Sequence, residues 1–291
     1  MPRPRKPSHL RSLPPSPLAA LLHRVDAIID GTPPLDTIPT GFPSLDRLLG
    51  GGLRTGDLAV LGGDVASGKS ALALAIALRA AAAGQSVIFL SGEMMPDRVL
   101  ERALAIEGRA RVDDLRQGAL EESARARVGA AAVQLRDAAP VIQRLPSDGI
   151  TGISPQLRGS RGPALAIVDS LESLARGGTS KEESEFATVS ELKALALETG
   201  VAILATSQLP LLAPRSDRRP QLDDFGGLGA VKGLADVVLA LYREAMYDTA
   251  RDVEGATELL VRKNRNGATG YVDLYFYAQW MRFEDMLDPD R

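Results

Sequence analysis

The chain has 291 residues, of which 45% are apolar, 24% charged and 4% aromatic, and its formal net charge is −3. This is the balance of a globular protein whose core is built from Leu, Ala, Val and Ile, and it excludes a polycation that binds nucleic acid by bulk attraction. Cysteine is absent and His9 and His23 are the only histidines, so disulfides and thiolate metal sites are excluded and a histidine dyad or zinc site is disfavoured.

Residues 1–16 are rich in Pro and Arg, have little to bury, and read as a disordered basic tail. The tail lacks the long apolar run of a signal peptide, and its prolines oppose an amphipathic transit helix. The longest apolar run, Ala71 to Ala83, is broken by Arg79 and is too short to cross a bilayer, so no membrane association and a cytoplasmic location are expected. Pro17 to Asp30 carries Leu18, Leu21, Leu22, Val25, Ile28 and Ile29 at helical spacing, which predicts a short helix ended by Gly31. Residues 17–36 are thus a short helix and a stiff Thr32-Pro33-Pro34 linker, and residues 37–291 form the main domain.

Beyond Ile38, short apolar strands alternate with helices, the pattern of parallel βαβ units. Strands are expected at Leu58 to Gly62, Val87 to Ser91, Ala164 to Asp169, Val201 to Ser207 and Asp236 to Tyr242. Helices are expected at Lys69 to Ala83, Pro96 to Ile106, Glu121 to Ala138 and Glu185 to Glu198. The pattern then changes to two strands, Thr257 to Arg262 and Gly270 to Tyr277, with Asn266-Gly267 between them as a hairpin signal. The expected fold is α/β, a mainly parallel central sheet flanked by helices with a C-terminal β-hairpin.

Gly63-Asp64-Val65-Ala66-Ser67-Gly68-Lys69-Ser70 matches the P-loop pattern and lies between a strand and a helix, as its mechanism requires. Glycines let the backbone point its N–H groups at phosphates, and the helix start adds partial positive charge. Lys69 is expected to reach the β- and γ-phosphates of ATP and Ser70 to hold Mg²⁺. Asp169 closes a buried strand, where an acid beside a P-loop can hold the same metal through water. Glu93 ends the second strand; it either orients the attacking water or is a solvated acid at a helix start. Gln208 follows the strand that ends at Ser207, where an amide can touch both the γ-phosphate and a mobile loop, although one glutamine is a weak signal by itself.

These residues, in this order, resemble the C-terminal ATPase domain of the DnaB family of replicative helicases, from about Leu21 to Met286. Ile38-Pro39-Thr40-Gly41-Phe42-Pro43-Ser44-Leu45-Asp46 resembles the family's opening motif, Glu93-Met94 its catalytic glutamate and following methionine, and Ser207-Gln208-Leu209 its sensor segment. Asp217-Arg218-Arg219-Pro220, Ala235-Asp236-Val237-Val238 and Tyr242-Arg243 also match, and Lys263-Asn264-Arg265-Asn266-Gly267 is similar to its Lys-x-Arg-Asn-Gly segment. The resemblance implies a RecA-like P-loop ATPase. It also implies Lys263 and Arg265 acting as trans fingers in a neighbouring subunit's site, a linker helix that grips that neighbour, and a hexameric ring on single-stranded DNA. A loader or primase-like partner is implied without being identified.

The sequence departs from the family in two places. The family's N-terminal helical domain has no counterpart here. Phe225 to Gly233 replaces a DNA-binding segment usually richer in polar residues, leaving Gly226, Gly227, Gly229 and Lys232 as the candidate DNA contacts; Gly226 falls where arginine is expected and Gly227 where glutamate is. Gly50-Gly51-Gly52-Leu53, Gly62-Gly63-Asp64 and Ser91-Gly92-Glu93 are similar to the RadA and KaiC branch of the same fold. Two functions follow: a DNA-translocating helicase ring, or a regulatory or assembly ATPase that controls a protein partner. A small-molecule kinase is a distant third.

Overall fold

The computed structural model describes residues 16–31, 36–159, 162–175, 180–209, 215–247 and 254–286. The expected tail before Ser16 and the Thr32-Pro33-Pro34 linker lie outside them. The chain divides into two compact units after Asp36.

The first unit contributes helix α1 (Pro17–Ile29). Ala19 N donates to the Ser16 hydroxyl at 3.1 Å, and proline occupies the first turn, where a missing N–H leaves no bond unmade. Leu18, Leu21, Leu22, Val25, Ile28 and Ile29 line up along the helix, and its own unit leaves each of them at least 44% exposed.

The second unit opens with β1 (Thr37–Ile38), α2 (Pro43–Leu49) and β2 (Leu53–Arg54), the two strands pairing antiparallel. The Asp46 carboxylate accepts from Thr40 N at 2.7 Å, Thr40 Oγ1 at 2.7 Å and Gly41 N at 3.1 Å. Arg79 donates to Gly41 O at 2.6 Å and stacks over Phe42 at 3.9 Å. The opening motif is therefore a structural knot.

A nine-stranded sheet follows, in spatial order β11-β10-β9-β8-β3-β7-β6-β4-β5. Its strands are β3 (Leu58–Gly63), β4 (Val87–Ser91), β5 (Val141–Arg144), β6 (Leu165–Asp169), β7 (Ala202–Gln208), β8 (Val237–Tyr242), β9 (Ala256–Asn264), β10 (Gly270–Tyr277) and β11 (Arg282–Asp285). Strands β3 to β8 pair in parallel, whereas β9, β10 and β11 add antiparallel. The helices are α3 (Lys69–Ala82), α4 (Pro96–Gly108), α5 (Val112–Gln117), α6 (Glu122–Ala138), α7 (Ile150–Leu157), α8 (Leu171–Leu174), α9 (Lys181–Thr199) and α10 (Ala230–Leu234).

Central strands are apolar along most of their length because both faces are covered, and turn polar only where they end at the crevice, at Ser91, Asp169 and Thr206 to Gln208. Ala59 and Leu61 of β3 join a core with α3 and α4, while Leu58 and Val60 join a second core with α7, α8 and α9. The chain leaves β3 for β4, two strands beyond its neighbour β7, and returns later to fill the gap with β6 and β7. That topology gathers the C-terminal ends of β3, β4, β6 and β7 around one crevice, where open α/β sheets place their ligands.

Candidate active site

The phosphate loop leaves β3 and ends at Gly68, whose φ of 104° belongs to the left-handed region open to glycine. A side chain there would also meet Phe283 Cζ at 2.9 Å, so β11 presses on the loop from the C-terminal end of the chain. Lys69 Nζ donates to Gly63 O at 3.0 Å and Asp64 O at 2.8 Å. Its ammonium is thus held on the loop's own carbonyls, within reach of any phosphate that replaces them. Burial pulls the Lys69 pKa down, and the nearby carboxylates of Glu172, Asp169, Asp64 and Glu93 oppose that shift.

Ser70 Oγ donates to Asp169 Oδ1 at 3.0 Å, and Thr206 Oγ1 donates to the same oxygen at 2.6 Å. Asp169 is 3% exposed, and burial raises its pKa against those two hydrogen bonds. A hydroxyl and a carboxylate, both hard oxygen donors, suit Mg²⁺, which keeps most of its waters and takes few protein ligands. No cluster of three or more His, Cys, Asp or Glu suited to a metal occurs among the described residues.

Glu93 lies just beyond β4, and its Oε1 accepts from Ser170 Oγ at 3.0 Å. Val65, Ala66, Gly68, Lys69, Ser70, Glu93, Asp169 and Gln208 line one cleft of about 280 Å³. Asp64 is not in that lining: its carboxylate accepts from Val65 N at 2.7 Å and from the Tyr247 hydroxyl at 3.1 Å. Ser67 is buried beneath the loop, close behind Gly63.

Several cleft residues were not singled out by sequence. Glu172 and Ser170 follow Asp169, and Thr206 precedes Gln208 on the same strand; proximity to marked positions was the available signal. Phe276 and Met281, which supply an apolar wall, come from the C-terminal hairpin region and carry no local signature. Arg243 lies over the Phe276 ring at 4.5 Å.

Lys263 and Arg265 are elsewhere. The register puts Asn264 beside Val237, at the start of β8, whereas Gly63 pairs with Leu241 near its end. The two cations therefore sit at the end of the sheet opposite their own phosphate loop. Lys263 Nζ donates to Lys232 O at 2.7 Å and Gly233 O at 3.1 Å, and Arg265 Nη2 donates to Gly233 O at 3.1 Å. The structure thus joins these residues to the glycine-rich segment. Gly227 and Gly229 have φ of 72° and 80°, so backbone geometry accounts for these two glycines, whereas a Cβ at Gly226 would meet only the movable carboxylate end of Glu185 at 2.8 Å. Lys232 is ion-paired with Asp223.

A strand–loop–helix phosphate cradle at the crevice of a mainly parallel sheet, with an acid at the end of β6, two strands away, defines a RecA-like P-loop nucleotide-binding domain. Residues 37–285 match the family of the DnaB-like helicase C terminal domain, and the chain belongs to that family. It is 32% identical over 274 residues to the replicative DNA helicase DnaB of Geobacillus stearothermophilus, covering 91% of this chain and 59% of that protein. The chain therefore spans less than two thirds of that relative's length. Among solved structures, a DnaB-like replicative helicase described with its interactions with primase superposes with a TM-score of 0.84 at 22% identity, covering 93% of this chain and 66% of that one. A KaiC-like protein, PH0186 of Pyrococcus horikoshii OT3, superposes with a TM-score of 0.60 at 16% identity, over 87% of this chain and all of that one. The difference between the two scores fits a fold shared with the KaiC branch and matched more fully by the DnaB-like helicase. No helix among the described residues is long and apolar enough to cross a membrane.

Proposed function

We propose that this chain is the ATP-hydrolysing motor part of a DnaB-type helicase, working as a hexameric ring on single-stranded DNA. The observation that carries this reading is the division of its charged machinery. Lys69, Ser70, Glu93, Asp169 and Gln208 line one cleft, while Lys263 and Arg265 lie at the opposite end of the sheet. Cations so placed serve a nucleotide held by a neighbour and not their own.

In this scheme the backbone of Gly63 to Gly68 cradles the phosphates, and Lys69 exchanges its two carbonyl partners for phosphate oxygens. Ser70 and Asp169 would hold Mg²⁺, which would supply neutralisation of phosphate charge. Glu93, steadied by Ser170, orients the attacking water, and Gln208 meets the γ-phosphate. Lys263 and Arg265 of the adjacent subunit steady the charge that develops on it. Phe276 and Met281 give the base an apolar wall. The apolar stripe of α1 supports assembly, since a short helix with such a stripe has little of its own unit to bury it and can be satisfied by a neighbouring subunit.

A second reading, a regulatory or assembly ATPase, has one observation in its favour. Gly226, Gly227 and Gly229 offer no side chains to a phosphate backbone, and Lys232 is paired with Asp223. ATP hydrolysis measured with and without single-stranded DNA, with Lys69→Ala as blank, separates the two. Stimulation by DNA that fades with salt supports the motor. Hydrolysis indifferent to DNA at low salt overturns it in favour of the regulatory ring.

A further inference from the structure

Strand β7 outruns its neighbour. β6 pairs with β7 only as far as Val168 beside Ala205, yet β7 continues to Gln208. On its other side β7 keeps β3 to the end, with Gly63 beside Gln208 and Leu209 N donating to Gly63 O at 3.1 Å. The edge toward β6 is left with an N–H at Gln208 and a hydroxyl at Ser207 that no strand satisfies.

A side chain takes the place of the missing strand. Glu172 Oε1, from α8, accepts from Gln208 N at 2.8 Å and from Ser207 Oγ at 3.0 Å. Its other oxygen, Oε2, is buried and has no hydrogen-bond partner among the described residues, and the side chain lines the cleft with Lys69, Glu93 and Gln208. A buried acceptor left unmade is unfavourable, so the carboxylate is held there by what Oε1 does.

We infer that Glu172 is a positioning residue for hydrolysis: it fixes the main chain of Gln208 so that the amide stands at the rim of the cleft before nucleotide arrives. This rests on the ATP-hydrolysing reading above. Glu172 need not touch the substrate: its hold on Gln208 appears in turnover, whereas its charge, which favours the Lys69 ammonium, appears in affinity.

For holding Gln208, and so for kcat, the acceptor's reach is the requirement and the charge is not. Glu172→Gln keeps a carbonyl oxygen at the same distance from the backbone; Glu172→Asp keeps the charge but withdraws the oxygen by one methylene. The experiment measures kcat and KM for ATP with the full chain, together with binding of a fluorescent ATP analogue and melting curves. Glu172→Ala and Glu172→Asp are expected to lose about 10- to 100-fold in kcat, the scale of a misplaced reactive group, with analogue binding unchanged in Glu172→Asp, which keeps the charge beside Lys69. Glu172→Gln is expected to stay within about 3-fold of the parent. Gln208→Ala is expected to lose as much as Glu172→Ala, and the double variant no more than either, because the two act as one unit.

If Glu172→Asp is active and Glu172→Gln is not, the charge matters and the inference is overturned. Full activity of Glu172→Ala, or losses that multiply in the double variant, overturn it as well. Should Glu172→Ala fail to fold, the order of the Gln and Asp variants still decides. Absence of turnover above the Lys69→Ala blank in the parent protein sinks the ATPase reading itself, which is a different result from an active parent with an indifferent Glu172.

Discussion

At the C-terminal ends of the parallel strands, the charged side chains look into an opening; at the N-terminal ends they look at one another. Lys69 rests on two loop carbonyls and lines a cleft. At the far end, Asp236 is 2% exposed and accepts from Leu58 N at 2.9 Å and Lys193 Nζ at 2.6 Å, with Arg265 Nη1 3.4 Å away. Asn266 Nδ2 donates to Asp57 at 2.5 Å, which ties the hairpin tip to the start of β3. One end is prepared to receive a ligand. The other is internally satisfied and must exchange partners before its cations can serve anything else.

The largest expected effect is therefore at the end that looks less catalytic. Arg265→Ala is expected to lower hydrolysis by about 10³-fold or more, the scale of a lost arginine finger. The comparison breaks most sharply in a mixture. Arg265→Ala and Lys69→Ala proteins, each nearly inactive alone, are expected to regain part of the activity when co-assembled, because some interfaces pair an intact Lys69 with an intact Arg265. No recovery in verified mixed rings would return Arg265 to a purely structural role in its own hairpin.

Next in size is Asp169→Asn, which separates function from stability. Hydrolysis is expected to fall by about 10²-fold. Stability should move the other way. Burial raises the Asp169 pKa, so folding disfavours the charged form, and the penalty grows as pH rises through the unfolded value toward the raised one. Asparagine removes that penalty, and the ligand-free variant is expected to melt about 2–4 °C higher at neutral pH, with the difference shrinking toward about pH 4. A lower melting temperature at neutral pH would mean that the hydrogen bonds from Ser70 and Thr206 outweigh the burial.

The opposite end gives a stability effect of the other sign. Lys193→Met keeps the stem but leaves Asp236 buried without its closest cation, and is expected to cost about 3–5 kcal/mol. Denaturant melts check this, and a cost below about 1 kcal/mol would show that Leu58 N and Arg265 suffice for Asp236.

Much of this was legible in the sequence, for different reasons in different places. Strand β3, helix α3 and Asp169 were legible because a buried parallel strand is apolar throughout and a phosphate loop has a fixed spacing. Helix α9 begins at Lys181, earlier than the expected Glu185, because Ser180 caps it by accepting from Glu183 N at 3.2 Å. Helix α7 escaped notice because Pro155 lies inside it, and β5 because Val141 to Arg144 form an edge strand with little to bury. Glu172 was invisible because its importance comes from where β6 stops, which is a property of pairing and not of local sequence. The ties of Lys263 and Arg265 to α10 and Asp236 likewise depend on register across β8 and β9.

The smallest predicted effect sharpens the comparison within the phosphate loop. Asp64 places a carboxylate next to a site for an anion, a local conflict that the fold resolves by turning it outward onto Val65 N and the Tyr247 hydroxyl. Tyr247 is itself stacked on Tyr242, with centroids 5.5 Å apart and planes 10° from parallel, so its hydroxyl has a fixed position. Tyr247→Phe keeps the stack and removes the donor, a loss of about 1 kcal/mol, and is expected to weaken ATP binding about 3- to 10-fold without changing kcat. In an Asp64→Asn background the same change should have little effect, since no charge is left to swing toward the phosphates. The Tyr247 pKa is pushed up to about 12, by burial first and by Asp64 next, so the donor keeps its proton through the alkaline range where a free phenol begins to lose it. The affinity difference between parent and Tyr247→Phe should accordingly hold constant from about pH 7 to pH 10. An equal loss with Asp64 in place and in the Asp64→Asn background would assign Tyr247 to packing alone and leave the orientation of Asp64 to Val65.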